Sequence, residues 1–445
     1  MSLLDRLAPA MQQRAFSLPA SSLEVRTAHG PHGFHSLLRE LIAGARRRIS
    51  LASLYFGTGP LEAALLDDVD QALARSPALQ VRLLFDHSRG NRKTPTGSSA
   101  TFVGQRLHDD DRAQIFLHRL PQLAGVARAL PSPLNELLAV CHFKVLVVDD
   151  TAILTGANLS DEYFHCRHAR VIVVRDRGFA DLLDGVVTIA SAHSRRVRER
   201  GARQDEPALP PHEVGARVAQ HVTDAARAAR GPSANDDDDD DDVAHVLPLF
   251  QHPRQGLHQE RELLRRLFAN TDGELVIHTP YTNFPSDYLQ ALGARLASRP
   301  AQRTSLLLAS RQSHSFTTGR GLKALVPGFY AEREHHMHAR LRAASDGGAS
   351  IELEHYHRPG WVFHSKGVWL RTDDETATVI GSSSFGARSV ARDFDLSCLI
   401  VTRNEALRQA LASEQTTTAP FTRAAEAASP PASSLLTSPI VRSYM

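Results

Sequence analysis

The stretch Cys141–Asn158, CHFKVLVVDDTAILTGAN, recurs in weakened form as FHSKGVWLRTDDETATVIGSSS over Phe363–Ser384. In both copies a His and, two residues later, a Lys open an apolar run. Each run passes an acidic turn and re-enters a second run that ends in Thr, Gly, Ser or Asn. This pattern predicts a strand, a turn and a second strand. Because side chains alternate along a strand, each copy presents one imidazole beside one ammonium group on the same face.

The scarcity of lysine makes this repeat informative. The chain contains four lysines and 47 arginines, so Arg serves wherever a generic cation is enough. Two of the four, Lys144 and Lys366, follow His142 and His364 at the same spacing. A strand-end histidine on a half-buried sheet would explain either copy alone, but not two copies with matching flanks. We therefore predict that the two His-Lys pairs act together.

Composition places limits on the class of protein. With 445 residues and 42% apolar content, the chain can bury one large core or two medium ones. A formal net charge of +2 is too balanced to predict a nucleic-acid partner. No stretch approaches the roughly 18 apolar residues that span a bilayer, which predicts a soluble or peripheral protein. Three scattered cysteines predict neither a disulfide framework nor a zinc site.

The chain divides into two halves of similar pattern. Residues 23–200 carry the first motif (142–158) and residues 247–412 carry the second (364–384). In each half, strand patterns alternate with helix patterns before the His-x-Lys copy. Such alternation predicts two fused α/β domains with largely parallel sheets.

The remaining segments have the composition of linkers and tails. Residues 201–246 are rich in Arg, Ala and Pro and contain seven consecutive aspartates, which predicts an acidic disordered linker rather than a divalent-cation site. Residues 1–22 read either as a short Arg-containing organellar presequence or as a disordered tail. Residues 413–434 are predicted to be disordered, and the apolar tail 435–445 to dock or to touch a membrane surface.

Two loops that follow strands are candidates for phosphate contacts. The turn Gly57-Thr58-Gly59 opens a helix, where free backbone N–H groups suit an anion, but a simple tight turn is the stronger explanation. Arg89, with Arg92 and Lys93, lies in a second Gly-containing loop after a strand. Guanidinium groups bind phosphate oxygens in a bidentate manner; solvated loop charge is the alternative.

Two facing imidazoles with lysines beside them suit a metal-free phosphoryl transfer. One neutral histidine attacks phosphorus and forms a phospho-histidine, while the other, protonated, gives its proton to the departing oxygen. The roles then reverse for the acceptor. The lysines, with Asn158 and Ser384 at the ends of the copies, are predicted to neutralise charge on the non-bridging oxygens.

The pattern His142-x-Lys144-x4-Asp149-x6-Gly156-x-Asn158 resembles the signature of the phospholipase D superfamily, whose two copies pair in one active site. Within that superfamily the chain resembles the eukaryotic, mitochondrial phosphatidylglycerophosphate synthases. The resemblance runs from about residue 21 to residue 403, outside the linker. It is carried by five blocks in the same order: SLYFGTGPLE, LLFDHSRGNR, HFKVLVVDDTAILTGANLSDEYF, GWVFHSKGVWL and IGSSSFGARSVARDFD.

The resemblance implies an active site at the pseudo-twofold interface between the halves, working without a metal or another cofactor. CDP-diacylglycerol would donate its phosphatidyl group to His142, CMP would leave, and sn-glycerol 3-phosphate would accept the group with His364 as acid and base. Asp149 belongs to the motif and so to the catalytic set, although bracing the hairpin is its expected role. The product would lead to cardiolipin, and the enzyme would be peripheral on the mitochondrial inner membrane. Nothing in the pattern indicates an oligomeric state.

Three departures from the family pattern concern substrate binding. Ser384 replaces the usual Asn, so phosphate binding passes to it or to Ser382 or Ser383. The second copy lacks an acid five residues after its Lys. The second half keeps an acid, Asp395, where the first half has Ala169, so only one histidine has its usual acidic partner, and the second copy is the better equipped. Four arginines are further candidates for phosphate or acidic lipid: Arg167, Arg170, Arg388 and Arg392.

Other functions fit parts of the pattern. Another phospholipase D-type enzyme, such as cardiolipin synthase, phosphatidylserine synthase or a phospholipase, would share the fold and the catalytic groups. Ser384 and Ala169 suggest a non-catalytic lipid-binding scaffold, which the two intact His-Lys pairs oppose. A nuclease would need a basic track with stacking aromatics, and neutral charge with 6% aromatic residues predicts neither.

Overall fold

The structure, a computed structural model, describes residues 2–8, 10–26, 32–107, 110–121, 139–198, 203–229, 240–317, 326–344 and 351–425. Within these ranges each half of the chain contains one large sheet with helices packed against it, so the predicted pair of α/β units is confirmed. None of the helices in these ranges combines the length and the hydropathy needed to cross a bilayer.

The first sheet has nine strands: β2 (Leu23–Arg26), β3 (Arg48–Ser53), β4 (Gln80–Asp86), β5 (Ala113–His118), β6 (Val145–Val148), β7 (Thr151–Thr155), β9 (Val171–Arg175), β10 (Arg195–Arg198) and β11 (Arg203–Gln204). Their order is β11-β10-β5-β4-β3-β6-β7-β9-β2. The helices of this half are α2 (His32–Gly44), α3 (Pro60–Arg75), α4 (His87–Gly90), α5 (Ser99–Arg106), α6 (Asp161–His165) and α7 (Arg177–Ala192).

The second sheet has ten strands: β1 (Phe16–Pro19), β12 (Val243–His252), β13 (Leu257–His258), β14 (Glu274–His278), β15 (Thr304–Ala309), β16 (Glu352–Tyr356), β18 (Gly367–Arg371), β19 (Thr376–Gly381), β20 (Asp395–Thr402) and β21 (Thr422–Ala424). Their order is β1-β12-β20-β19-β18-β14-β15-β16-β21, and β13 pairs with β12. The helices of this half are α9 (Gln259–Asn270), α10 (Ser286–Ser298), α11 (Val326–Ala344), α12 (Ala387–Ala391) and α13 (Glu405–Thr416).

The prediction of largely parallel sheets is wrong, because both sheets are mixed. Parallel pairing is confined to β3-β4-β5 in the first sheet and to β14-β15-β16 in the second. Long crossover segments separate those strands, as parallel pairing requires. The His-x-Lys copies instead return through short acidic turns, so β6-β7 and β18-β19 are antiparallel hairpins.

The hairpin of each motif is buried on both faces. In β6, Val145 and Val147 join a core shared with the second sheet, where Ile380 is one neighbour. Leu146 and Val148 point the other way, into the core under the helices of the first half. A strand buried on both faces reads as a continuous apolar run, which is the pattern VLVV that follows Lys144.

Two short backbone pairings join the halves near the motifs. Strand β8 (Arg167–His168) pairs in parallel with β17 (Val362–Phe363), and an isolated parallel bridge joins Cys141 to Phe394. Each pairing places the residue before a motif histidine beside the chain of the opposite half. The halves therefore meet along the strands that carry the two histidines.

The amino-terminal residues are part of the packed structure, so the expectation of a disordered tail over residues 1–22 is wrong for the described part. Helix α1 (Leu3–Leu7) buries Leu3 and Leu7 in the core of the second half. Strand β1 pairs with β12, and β2, a few residues later, pairs with β9 of the first sheet. This segment gains enough apolar burial to offset the loss of chain entropy.

The acidic linker predicted over residues 201–246 is also wrong in part. Residues 214–229 form helix α8 (Val214–Ala229), which packs against α7. Val214, Val218 and Val222 lie at helical spacing and are fully buried, so the segment has the apolar stripe that a surface helix needs. Most of the aspartate run lies outside the described residues.

The carboxyl-terminal prediction of disorder over residues 413–434 is wrong up to residue 425. Helix α13 continues to Thr416, and β21 pairs with the edge strand β16. Residues 426–445, with the predicted docking tail, lie outside the described residues.

A buried ion pair ties α13 to the interface between the halves. The Arg170 guanidinium donates to both carboxylate oxygens of Glu414, at 2.9 and 2.7 Å. It also donates to the Val379 carbonyl and lies 3.9 Å from the Trp369 ring centre. Arg170 is 3% exposed. The candidate role of Arg170 in phosphate binding is therefore wrong, because the protein itself occupies its hydrogen bonds.

Removing one partner of this pair is expected to destabilise the protein. Glu414→Ala leaves the buried Arg170 charge without its carboxylate, which costs about 3–5 kcal/mol of unfolding free energy. Urea unfolding followed by circular dichroism measures the change. Glu405→Ala is the matched control, since Glu405 is an exposed partner of Arg408 on the same helix and should change stability little. Equal effects of the two variants would contradict the expectation.

Candidate active site

The two His-x-Lys copies reach one site through equivalent backbone contacts. The His142 N–H donates to the Phe394 carbonyl at 2.8 Å, and the His364 N–H donates to the His168 carbonyl at 3.0 Å. Lys144 and Lys366 are buried beside them, at 3% and 2% exposure. The charges of both lysines act on both histidines. The structure therefore brings together the four residues that the repeat singled out.

His142 is held by an acid from the other half. Its Nδ1 lies 2.8 Å from Asp395 Oδ1, and its side chain is 17% exposed while that of Asp395 is fully buried. Burial lowers the pKa of His142 to about 3, with Lys144 and Lys366 adding to the effect and Asp395 opposing it. At neutral pH the ring is uncharged. An Nδ1–H donated to the carboxylate leaves the lone pair on Nε2.

This pairing corrects the expectation that the second copy is the better equipped. Asp395 belongs to the second half but orients the histidine of the first. Its Oδ1 also accepts a hydrogen bond from Ser382 Oγ at 2.6 Å. Ser382 therefore reaches the site through the acid rather than as an independent phosphate ligand. Burial acts to raise the pKa of Asp395, but the contact with His142, the hydrogen bond from Ser382 and the charge of Lys366 together keep that pKa below its usual value.

The two lysines are cations without a carboxylate partner in the part of the chain that the structure describes. Lys144 Nζ donates to the His142 carbonyl at 2.7 Å, and Lys366 Nζ donates to the Ser382 carbonyl at 2.6 Å. Burial lowers the pKa of Lys366 to about 8 and that of Lys144 well below its usual value. An anion between them would restore both pKa values, because it would stabilise the charged amines. The site is thus suited to a phosphate group.

His364 has a different set of contacts. Its Nε2 lies 3.1 Å from the Tyr163 hydroxyl, and the two rings meet edge to face at 4.9 Å. Its Nδ1 is buried and has no hydrogen-bond partner among the described residues. Burial, followed by the charge of Lys366, lowers the pKa of His364 well below its usual value. Both histidines are therefore neutral in this structure, but only His142 has an acid.

The residues at the ends of the two copies are not equivalent. Asn158 is buried, donates from Nδ2 to the Tyr163 hydroxyl at 2.9 Å and accepts from Ser53 Oγ at 3.3 Å. Ser384 is partly exposed, and its carbonyl accepts from Thr279 Oγ1 at 2.8 Å. Asn158 thus supports a residue that contacts His364, while Ser384 is anchored by its backbone.

Asp149 lies outside the site, which corrects its place in the catalytic set. It ends β6, at the opposite end of the strand from Lys144. The backbone of Asp149 is left-handed, with a φ of 49°. Its carboxylate accepts hydrogen bonds from the backbone N–H groups of Arg46, Arg47 and Arg48 at 2.8–3.1 Å. It braces the hairpin turn against the start of β3.

The Gly57-Thr58-Gly59 turn is not an open anion site, so this phosphate-binding prediction is wrong. Glu62 fills the turn: its carboxylate accepts the Gly59 N–H at 3.1 Å and the Asp161 N–H at 2.6 Å. A Cβ at Gly57 would lie 1.8 Å from that carboxylate. The Gly57 N–H donates to the Leu159 carbonyl, and Thr58 Oγ1 contacts Thr96 Oγ1 at 2.6 Å. The protein's own acid takes the place predicted for phosphate.

The candidate arginines lie in different environments. Arg388 is paired with Asp393 at 2.8 Å and its side chain is 26% exposed, so its phosphate contact stays a prediction. Arg392 follows α12 and is partly exposed, and Arg89 stacks 4.5 Å from the centre of the Tyr55 ring. Arg167 reaches the site, because it lies over the Tyr163 ring and donates to its hydroxyl at 3.2 Å.

Two residues of the site escaped the sequence reading. Tyr163 follows the first motif in the segment SDEYF, and no periodicity distinguishes it from a core aromatic residue. Glu260 is a fully buried carboxyl group on α9 that accepts from Ser397 Oγ at 2.7 Å. Burial and the neighbouring Asp395 raise the pKa of Glu260 to about 7. Only the packing of distant segments shows that Tyr163 contacts the histidine of the other copy and that Glu260 lies near the second motif.

Comparisons with known proteins confirm the resemblance. The chain is 29% identical over 442 residues to a Gallus gallus protein named CDP-diacylglycerol–glycerol-3-phosphate 3-phosphatidyltransferase, mitochondrial, covering 89% of this chain and 77% of that protein. It is 27% identical over 414 residues to a Dictyostelium discoideum protein named as a probable enzyme of the same kind, covering 86% and 70%. No family model matches the chain.

Among solved structures, the chain is similar to phosphatidylserine synthase from Haemophilus influenzae. The TM-score is 0.73 at 19% identity, and the match covers 96% of this chain and 92% of that one. At this identity the likeness shows a shared fold alone. The fold predicted from the repeat is therefore confirmed over almost the whole chain.

Proposed function

We propose that this chain is a phosphatidyltransferase that moves the phosphatidyl group of CDP-diacylglycerol to sn-glycerol 3-phosphate. The products are CMP and phosphatidylglycerophosphate, a precursor of cardiolipin. The observation that carries the proposal is the pair of buried His-Lys sets in one site, with His142 held neutral against Asp395. The names of the relatives, which match most of the chain, supply the donor and the acceptor.

In the first half-reaction, Nε2 of His142 attacks the phosphorus that bears the diacylglycerol. The new P–N bond forms as the P–O bond to CMP breaks, and Asp395 stabilises the positive charge that develops on the ring. CMP leaves as a phosphate anion, which is a stable leaving group because a phosphate monoester has a second pKa of about 6. Lys144 and Lys366 balance the charge on the non-bridging oxygens.

In the second half-reaction, the 1-hydroxyl of glycerol 3-phosphate attacks the phospho-histidine. His364 takes the proton of this hydroxyl, the new P–O bond forms, and the P–N bond to His142 breaks. We assign contacts with the phosphate of the acceptor or of the donor to Arg392 and Arg89, both of which are partly exposed. His142 is then ready for another turnover.

The reaction belongs at a membrane surface because its donor is a lipid. We propose a peripheral protein of the mitochondrial inner membrane; the relatives named mitochondrial support the compartment, and the lipid donor is our reason for the membrane. Serine or phosphatidylglycerol as acceptor, or water, would make it one of the other phospholipase D-type enzymes. The acceptor therefore decides the assignment.

The test is an assay of the purified full-length chain with CDP-diacylglycerol in mixed micelles containing chelator. We expect CMP release that depends on glycerol 3-phosphate and continues in the chelator, with phosphatidylglycerophosphate formed in equal amount. Serine, phosphatidylglycerol and buffer alone are the matched acceptor controls. Equal release with buffer alone would identify a hydrolase, and no release with any acceptor would overturn the proposal.

A further inference from the structure

The pseudo-twofold relation between the halves identifies the position beside His364 that corresponds to Asp395 beside His142. That position does not hold an acid. Phe394 accepts the His142 N–H, and the next residue is Asp395, the acid on Nδ1. By the same arrangement, His168 accepts the His364 N–H, and the next residue is Ala169. An alanine has no polar atom to offer the ring. Nδ1 of His364 accordingly lacks the partner that Nδ1 of His142 has.

Tyr163 contacts the other nitrogen of this ring, and its neighbours determine the direction of the hydrogen bond. The phenol oxygen has two lone pairs and one hydrogen. Asn158 Nδ2 and Arg167 Nη1 both donate to it, at 2.9 and 3.2 Å, and use the two lone pairs. The hydrogen of Tyr163 must therefore point to Nε2 of His364, 3.1 Å away.

The direction of this bond assigns the tautomer of His364. Because Nε2 accepts a hydrogen bond, the proton of the neutral ring is on Nδ1. Burial lowers the pKa of His364 and so favours the neutral ring, and the charges of Lys366, Arg167 and Lys144 act in the same sense. Burial also raises the pKa of the Tyr163 phenol, so the phenol keeps its hydrogen.

We infer that Tyr163 is a positioning residue for His364. From the Nε2 side of the ring, Tyr163 fixes the same tautomer that an acid at position 169 would fix from the Nδ1 side. The inference rests on the proposed function for its chemical consequence. The lone pair on Nε2 is held toward the reacting oxygen, and the incoming 1-hydroxyl replaces the Tyr163 hydroxyl there. The proton of the 1-hydroxyl passes to Nε2, its oxygen bonds to phosphorus, the P–N bond breaks, and the imidazolium later releases the proton to water.

The test compares Tyr163→Phe with two further variants. Without the hydroxyl, both neutral tautomers of His364 become available, so acceptor-dependent turnover should fall about tenfold, the effect of one hydrogen bond. Labelling of the enzyme by the donor should change little. The acid limb of the pH profile should move to higher pH, because the lost bond favoured the neutral ring. Tyr288→Phe is the control, since that buried hydroxyl has no partner among the described residues.

The second variant tests positioning against a purely structural role. Ala169→Asp in the Tyr163→Phe background should place a carboxylate toward Nδ1 and restore the tautomer, recovering most of the tenfold loss. Ala169 is the residue that corresponds to Asp395 in the pseudo-twofold arrangement, since each follows the residue whose carbonyl accepts a motif histidine N–H. No recovery, or an unchanged pH profile in Tyr163→Phe, would overturn the inference.

A direct measurement separates this inference from the proposed function. In the substrate-free protein labelled with 15N-histidine, the resonances lost in His364→Gln identify the ring. The wild type should show the Nδ1–H tautomer and Tyr163→Phe a mixture; identical tautomers would overturn the inference. This result holds even if CDP-diacylglycerol is not the donor.

Discussion

Replacing His142 with alanine is expected to abolish covalent labelling of the protein by phosphatidyl-labelled donor. It should also lower the rate of CMP release by a factor on the order of 10⁴ or more, as loss of a nucleophile does in other enzymes. The physical reason is that, of the two motif histidines, His142 is the one whose second ring nitrogen contacts an acid, Asp395, whereas Nδ1 of His364 has no partner among the described residues. Gel electrophoresis of the labelled protein under alkaline conditions, which preserve a P–N bond, measures the adduct.

Two matched histidine variants define the outcome. His364→Ala should still be labelled, because the first half-reaction uses His142, but it should transfer the group to the acceptor slowly. His335→Ala, on the exposed side of α11, should resemble the wild type in both respects. Labelling that survives in His142→Ala and disappears in His364→Ala would assign the nucleophile to the second copy.

Replacing Asp395 with asparagine is expected to lower turnover on the order of 10⁴-fold, because the amide can hold His142 in the wrong tautomer and cannot stabilise its positive charge. Asp395 opposes the fall in the pKa of His142, so the variant ring should be still harder to protonate. The KM for the donor should change less than kcat, since the carboxylate is fully buried. Steady-state kinetics across pH measure both.

Asp395→Glu is the matched variant, because it keeps the carboxylate and changes only its reach. It should retain far more activity than Asp395→Asn. Thermal unfolding of both variants shows whether the fold survives, and Asp150→Asn, at the exposed hairpin turn, controls for loss of an acid elsewhere. Equal kcat values for Asp395→Asn and the wild type would contradict the assigned role of the acid.

Much of the candidate site follows from local pattern. The spacing of His142 and Lys144, with the apolar run behind them, placed two side chains on one face of a strand that is buried on both sides, and the repeat placed His364 and Lys366 in the same way. Those features depend on strand geometry and on burial, and both can be inferred from the order of apolar and polar residues in the sequence.

Predictions that depended on composition were less reliable. Residues 214–229 carry buried valines at helical spacing, but the neighbouring aspartate run led to the prediction of a disordered linker. The Gly57-Thr58-Gly59 turn offered N–H groups to an anion, and Glu62 on the following helix supplies that anion. In the first place packing against α7 outweighed the composition, and in the second a capping residue on the following helix occupies the turn.

The sequence alone determined which groups we propose for the chemistry, since the four residues of the repeated motif and the strands that carry them can be identified from spacing. The tertiary structure decided how these groups are partnered. Asp395 lies only 31 residues beyond His364 in the chain but binds His142, and Tyr163 lies beside the first motif but binds His364. The reason is that the two halves meet along the motif strands, so each histidine finds its partner across the interface rather than along its own segment.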